Sequence, residues 1–163
     1  MPEPTKKNVG FAGTGKLVNE ANEKTVFLSY CERNPDNEYL IEKILEPFLA
    51  MLGFEVYYYK KDANFEVPTK RMEYLIGMCG IVIGIYACDD KRDEGSFAPA
   101  LNVATEMGIG RGKKELAIIE EKTYIGSMDF STIPNFKFSR EKYGKLLLDL
   151  LKILKNDKLL NIS

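Results

Sequence analysis

The first sustained apolar run of the chain, Val26-Phe27-Leu28-Ser29-Tyr30, is β-branched and aromatic and reads as a buried strand. Ahead of it, residues 1–24 are polar, contain Pro, Gly, Asn and Lys, and keep neither a helical nor a strand period. They read as a flexible arm or linker, with the folded domain as residues 25–163. After the strand, Asn34-Pro35-Asp36 offers capping side chains and a first-turn proline. Leu40, Ile41, Ile44, Leu45, Phe48, Leu49 and Leu52 then recur at helical spacing up to a stop at Gly53. Pro47 inside that run predicts a kink or a shortened helix. A second strand is expected at Phe54–Tyr59, and a helix at Thr69–Met78 with Met72, Leu75, Ile76 and Cys79 facing inward. Ile81–Tyr86 is almost continuously apolar, as a strand covered on both faces is. A charged loop over 89–95 leads to a helix from about Pro99 to Ile109 and a strand at Leu116–Ile119. Residues 123–139 are irregular with room for a short edge strand, and Arg140–Lys155 forms an amphipathic helix with Leu146, Leu147, Leu150, Leu151 and Leu154 inward.

Strands alternating with helices imply βαβ crossovers. The expected fold is α/β, a flavodoxin-like doubly wound parallel sheet of four to five strands with helices on both faces. At 163 residues the chain suits one such domain.

Composition narrows the chemistry. A hydrophobic fraction of 45%, a charged fraction of 29% and a formal net charge of -1 describe an ordinary water-soluble globule with no electrostatic call for nucleic acid. The apolar runs fall far short of the roughly 20 residues that span a bilayer, so no membrane partner is expected. Cys31, Cys79 and Cys88 form no C-x-x-C, which argues against a disulfide framework or a thiolate zinc site and suits a reducing cytoplasm. The chain has no histidine, which removes Ser-His and Cys-His nucleophile systems and His-ligated zinc. No metal and no prosthetic group are expected; the available chemistry belongs to carboxylates, lysines, tyrosines and hydroxyls.

Val26-Phe27-Leu28-Ser29-Tyr30 resembles the opening strand of Toll/interleukin receptor (TIR) domains, and Leu52-Gly53-Phe54-Glu55-Val56 resembles the approach to their second strand. The strand Ile81–Tyr86, a variable loop and a helix with Glu106 stand where prokaryotic-type TIR enzymes have a third strand and a helix bearing the catalytic glutamate. Asn102-Val103-Ala104-Thr105-Glu106-Met107-Gly108 is also similar to the Glu-x-Gly segment of nucleoside 2-deoxyribosyltransferases. Together these cover about residues 25–121. One departure is plain: four residues before the glutamate TIR enzymes carry a tryptophan, whereas this chain has Asn102 and no tryptophan at all.

The resemblance implies cleavage of the nicotinamide–ribose bond of NAD, as glycohydrolase or cyclase in defence or immune signalling, with Glu106 as catalytic carboxylate and self-association through the domain. It leaves open a non-catalytic interaction module and a deoxyribosyltransferase-like enzyme using the same carboxylate as nucleophile. In open α/β sheets ligands bind beyond the carboxyl ends of the strands. Candidate substrate contacts there are Ser29, Tyr30, Lys60, Phe65, Tyr86 and Asn102. Each also has a plain structural reading: Ser29 as a helix-approach residue, Phe65 and Tyr86 as packing, Lys60 as part of a solvated turn, Asn102 and Glu106 as surface helix residues. Gly10-Phe11-Ala12-Gly13-Thr14-Gly15-Lys16 fits G-x-x-x-x-G-K, but Leu17 stands where a P-loop needs Ser or Thr, and no apolar strand precedes it.

Overall fold

The computed structural model describes residues 4–5, 22–30, 35–59, 69–87, 103, 107, 113–121, 123 and 130–156. Strands β1 (Asn22–Tyr30), β2 (Glu55–Tyr59), β3 (Cys79–Tyr86), β4 (Lys114–Glu120) and β5 (Asn135–Phe138) form a parallel sheet in the order β2-β1-β3-β4-β5. This is the flavodoxin-like α/β fold expected from the alternation of periods. A two-residue strand, Pro4–Thr5, adds antiparallel to the outer edge of β2, with Pro4 opposite Tyr59 and Thr5 opposite Tyr58.

The period of two in each strand divides the core in two. On one face Val26, Leu28, Tyr30, Val56, Tyr58, Ile81, Ile83, Ile85, Leu116 and Ile118 meet α1 (residues 35–51) and α3 (Tyr143–Asn156). On the other, Phe27, Tyr57, Val82, Tyr86, Ala117 and Ile119 meet α2 (Thr69–Met78) and the helical residues Val103 and Met107. Burial of both faces explains why β3 reads as unbroken apolar sequence rather than as an alternation. Among the described residues no helix is long and apolar enough to cross a membrane.

Pro47 does not end α1. The helix widens over Leu40–Leu45, where the Glu46 N–H donates to the Ile41 carbonyl five residues back, and then resumes as a regular α-helix over Glu46–Met51 with Pro47 in its first turn. A proline lacks the N–H that an uninterrupted ladder would use, and a first-turn position is where that loss costs least. The end of α1 follows the expected stop: Gly53 takes φ +96°, its N–H donates to Ala50 (3.0 Å), and the Phe54 N–H reaches Leu49 (3.0 Å). This pair of bonds satisfies two helix-end carbonyls and turns the chain into β2.

Cys79, read from the sequence as an inward residue of α2, is instead the first residue of β3. The reason lies in Thr25, whose hydroxyl donates to the Met78 carbonyl and accepts the Gly80 N–H, both at 3.2 Å, so helix passes into strand without a loop. At the other end of the chain, Arg140 was expected inside the closing helix. Helix α3 starts at Tyr143, and Arg140 is occupied elsewhere, as described below. Leu146, Leu150 and Leu154 are buried, while Leu147 and Leu151 are half-buried and border the same core.

Burial pushes the Cys79 thiol from 9.0 up to about 12, with Lys113 and the Thr25 hydroxyl pulling the other way. In an unfolded chain this proton is released from about pH 9, while the native protein keeps it to about 12. The thiol's contribution is therefore whole below pH 9 and declines as pH rises, by up to about 1.4 kcal/mol per pH unit. Urea titrations between pH 7 and 10.5 should show stability falling less steeply in Cys79→Ala than in the wild type.

Candidate functional site

Strand order places the switch point between β1, whose crossover to β2 goes one way, and β3, which is reached by crossing back. The carboxyl ends of these strands are paired: Ser29 lies opposite Gly84 and Tyr30 opposite Ile85, with Tyr86 one residue further. Three of the sequence-derived candidates, Ser29, Tyr30 and Tyr86, are thus brought to one rim. They are not on one face. Tyr30 enters the core beneath α1 and packs edge-on against Tyr58 at a centroid distance of 6.2 Å. Tyr86 enters the opposite core, and Ser29, one residue before Tyr30 in an extended strand, also points to that side. All three side chains are buried.

The face holding Tyr86 has a specific point of attachment. A Cβ built at Gly84 would lie 2.8 Å from Met107 Sδ, 2.9 Å from Met107 Cγ and 3.1 Å from Tyr86 Cε2. Glycine at this position is what lets Met107 rest directly on the β3 backbone. Val103, one helical turn earlier, is buried in the same cluster, and Phe130 meets the Tyr86 ring edge-on at 4.8 Å. A spacing of four with both residues buried defines the inward stripe of a helix. Glu106 immediately precedes Met107 in the chain, and Glu106, Asn102, Lys60 and Phe65 lie outside the described residues.

The other face of the rim is closed by a polar clamp. Asn37, in the first helical turn after β1 and fully buried, donates from Nδ2 to the Ala87 carbonyl at 2.6 Å, just past the end of β3. Its Oδ1 accepts from Arg140 Nη2, and Arg140 Nε is held by Glu120 Oε2 at 2.8 Å at the end of β4. One guanidinium therefore ties α1 to the carboxyl ends of β3 and β4, beside the Phe138 ring that ends β5. Among the described residues Arg140 Nη1, which is buried, has no hydrogen-bond partner. A buried unmade donor costs about 1–3 kcal/mol, which the charge-assisted bonds on the other two nitrogens offset.

A hollow of about 250 Å³ lies further along this rim, lined by charged residues including Glu121, Lys137, Glu141 and Lys142 at the start of α3. It shares no residue with the β1/β3 crevice. Among the described residues no group of three or more His, Cys, Asp or Glu side chains could hold a metal ion.

Gly84 had a signal in the sequence, a lone glycine inside an apolar strand run, which marks close backbone approach. Asn37 and Arg140 had none, because they are 103 residues apart in the chain and their types suit exposed helix positions equally well. No protein-family model and no curated protein matches this chain.

The contact between Gly84 and Met107 is testable by a double-mutant cycle in denaturant. Gly84→Ala should cost about 1 kcal/mol, at the low end for overpacking because the obstructing atoms belong to a flexible thioether. In a Met107→Ala background the same change should cost less than half as much.

Proposed function

We propose that the protein cleaves the nicotinamide–ribose N-glycosidic bond of NAD, as a glycohydrolase or cyclase, with the Glu106 carboxylate as the catalytic group. The observation that supports this reading is the seating of Val103 and Met107 on β3 beside Gly84 and Tyr86, at the switch-point rim where ligands of this fold class bind. In a helix, the positions just before a buried i, i+4 pair fall about 100° round the axis, at the border of the buried stripe. On the helix expected from the sequence, from about Pro99 to Ile109, those positions are Asn102 and Glu106.

The chemistry suits a chain without histidine. When the C1′–N bond breaks, its electron pair passes to the ring nitrogen and neutralises the pyridinium charge, so nicotinamide leaves without a general acid. Positive charge gathers on the ribose C1′ and its ring oxygen. A carboxylate held beside that carbon stabilises the oxocarbenium-like state or captures it. Water then adds to C1′ and releases a proton, giving ADP-ribose; attack by the adenine ring instead gives a cyclic product.

On this reading Asn102 holds a ribose hydroxyl or the nicotinamide amide, and Ser29 and Tyr86 form the wall on the Met107 side. Lys60 meets phosphate, and Phe65 meets a ring of the nucleotide. Tyr30, packed against Tyr58, supports the strand end from the opposite core. A free buried thiol at Cys79 and a dinucleotide substrate both fit a cytoplasmic setting.

The test is release of free nicotinamide from NAD by the full chain at high protein concentration, alongside Glu106→Gln and Glu106→Ala. Wild type should release nicotinamide, and each variant should be slower by about 100-fold or more, the scale for loss of a charge-stabilising group. Release that persists in both variants removes Glu106 from the mechanism, and absence of release from wild type leaves the non-catalytic interaction module and the deoxyribosyltransferase-like enzyme.

A further inference from the structure

The parallel ladder of β3 runs out at the rim. Its last pair on the β1 side is Ile85 with Tyr30, and on the β4 side Tyr86 with Ile119. The next carbonyl, that of Ala87, accepts from the Asn37 side chain at 2.6 Å, so an amide from α1 carries on where strand pairing stops. That bond sets how the chain leaves Tyr86, whose ring rests against Gly84 and Phe130 in the Met107 cluster.

The Asn37 amide has one orientation open to it. A guanidinium only donates hydrogen bonds, so Oδ1 faces Arg140 Nη2 and the NH2 group is aimed at Ala87. Arg140 is fixed in turn by Glu120 at the end of β4. Asn37 is fully buried and the other two side chains are mostly so, which strengthens each bond and shields the relay from water.

We infer that Asn37 is a positioning residue of the proposed site: oriented by Arg140, it holds the end of β3 so that Tyr86 keeps its place, and it touches no substrate itself. The inference rests on the NAD-cleavage reading given above. Because the relay supplies no substrate contact, its loss removes none of the groups that bind and alters how they are aligned. Alignment of reacting groups weighs on rate more than on affinity.

Asn37→Asp isolates the device. It keeps an acceptor for Arg140 but sets an oxygen in place of the donor to Ala87, and two acceptors repel. Arg140→Lys keeps a positive charge beside Glu120 and removes the fork that orients the amide. Thr25→Val, at the amino end of β3, is the control for general loss of stability. Nicotinamide release from NAD by the full chain is measured with kcat and KM separated, and urea titration gives the stability of each variant. Asn37→Asp should lower kcat by about tenfold or more, with KM within about twofold of wild type. Arg140→Lys should lower kcat less, and the double variant should be no slower than Asn37→Asp, since both act along one path. Thr25→Val should leave kcat unchanged. An unchanged kcat in Asn37→Asp overturns the inference and leaves the proposed reaction intact, as does an equal loss in Thr25→Val. Should Asn37→Asp not fold, Arg140→Lys decides by the same comparison. Should wild type release no nicotinamide, the proposed reaction fails by itself, and the Met107 methyl resonance decides instead. A shift in Asn37→Asp but not in Thr25→Val upholds the relay, and an unmoved resonance overturns it.

Discussion

The candidate site depends on the absence of one side chain. Gly84 sits in the middle of the most buried strand, and because it has no Cβ, Met107 lies against the strand backbone at a distance no larger residue permits. That contact fixes where the helical residues Val103 and Met107 meet the sheet, beside Tyr86 and the ring of Phe130. A methionine is well suited to such a seat, since its unbranched thioether adapts to a narrow slot between a backbone and an aromatic ring. The proposed catalytic carboxylate is on the residue next to this anchor in sequence.

The two faces of the rim then take different roles. Beneath α1 and α3 the clamp of Asn37, Arg140 and Glu120 spends its hydrogen bonds on strand ends, holding Ala87 and hence the end of β3 in place. Polar groups committed to one another in this way specify geometry and leave little to offer a ligand. On the Met107 side Tyr86 packs with Val103, Met107 and Phe130, and Ser29 points to the same side.

Much of the fold was legible because the hydrophobic period changes cleanly between two and 3.6 along the chain. Four of the five parallel strands, the Thr69–Met78 helix and the glycine stop at Gly53 follow from it, whereas Asn135–Phe138 lies in a stretch that reads as irregular. The misplacements share a cause: a hydrogen bond made far away in sequence overrides a local signal. Thr25 turns Cys79 from helix to strand, and Asn37 and Glu120 hold Arg140 ahead of the closing helix. Pro47 predicts a kink or a shortened helix, and a local widening of the helix absorbs it. Of the candidate site, the positions at strand ends were legible, since strand direction dictates the rim, but the face each residue occupies depends on register. Tyr30 and Tyr86 lie on opposite faces for that reason. The order Ser-Tyr at the end of β1 says nothing of which face is open.

The seating of Met107 on Gly84 is most directly measured by nuclear Overhauser effects from the Met107 methyl group in methyl-labelled protein. Cross-peaks to the Gly84 α-protons and to the Tyr86 ring are the predicted result. A Met107 methyl with contacts to neither residue would contradict the account, because Met107 would then have no seat on the strand at the sheet's rim.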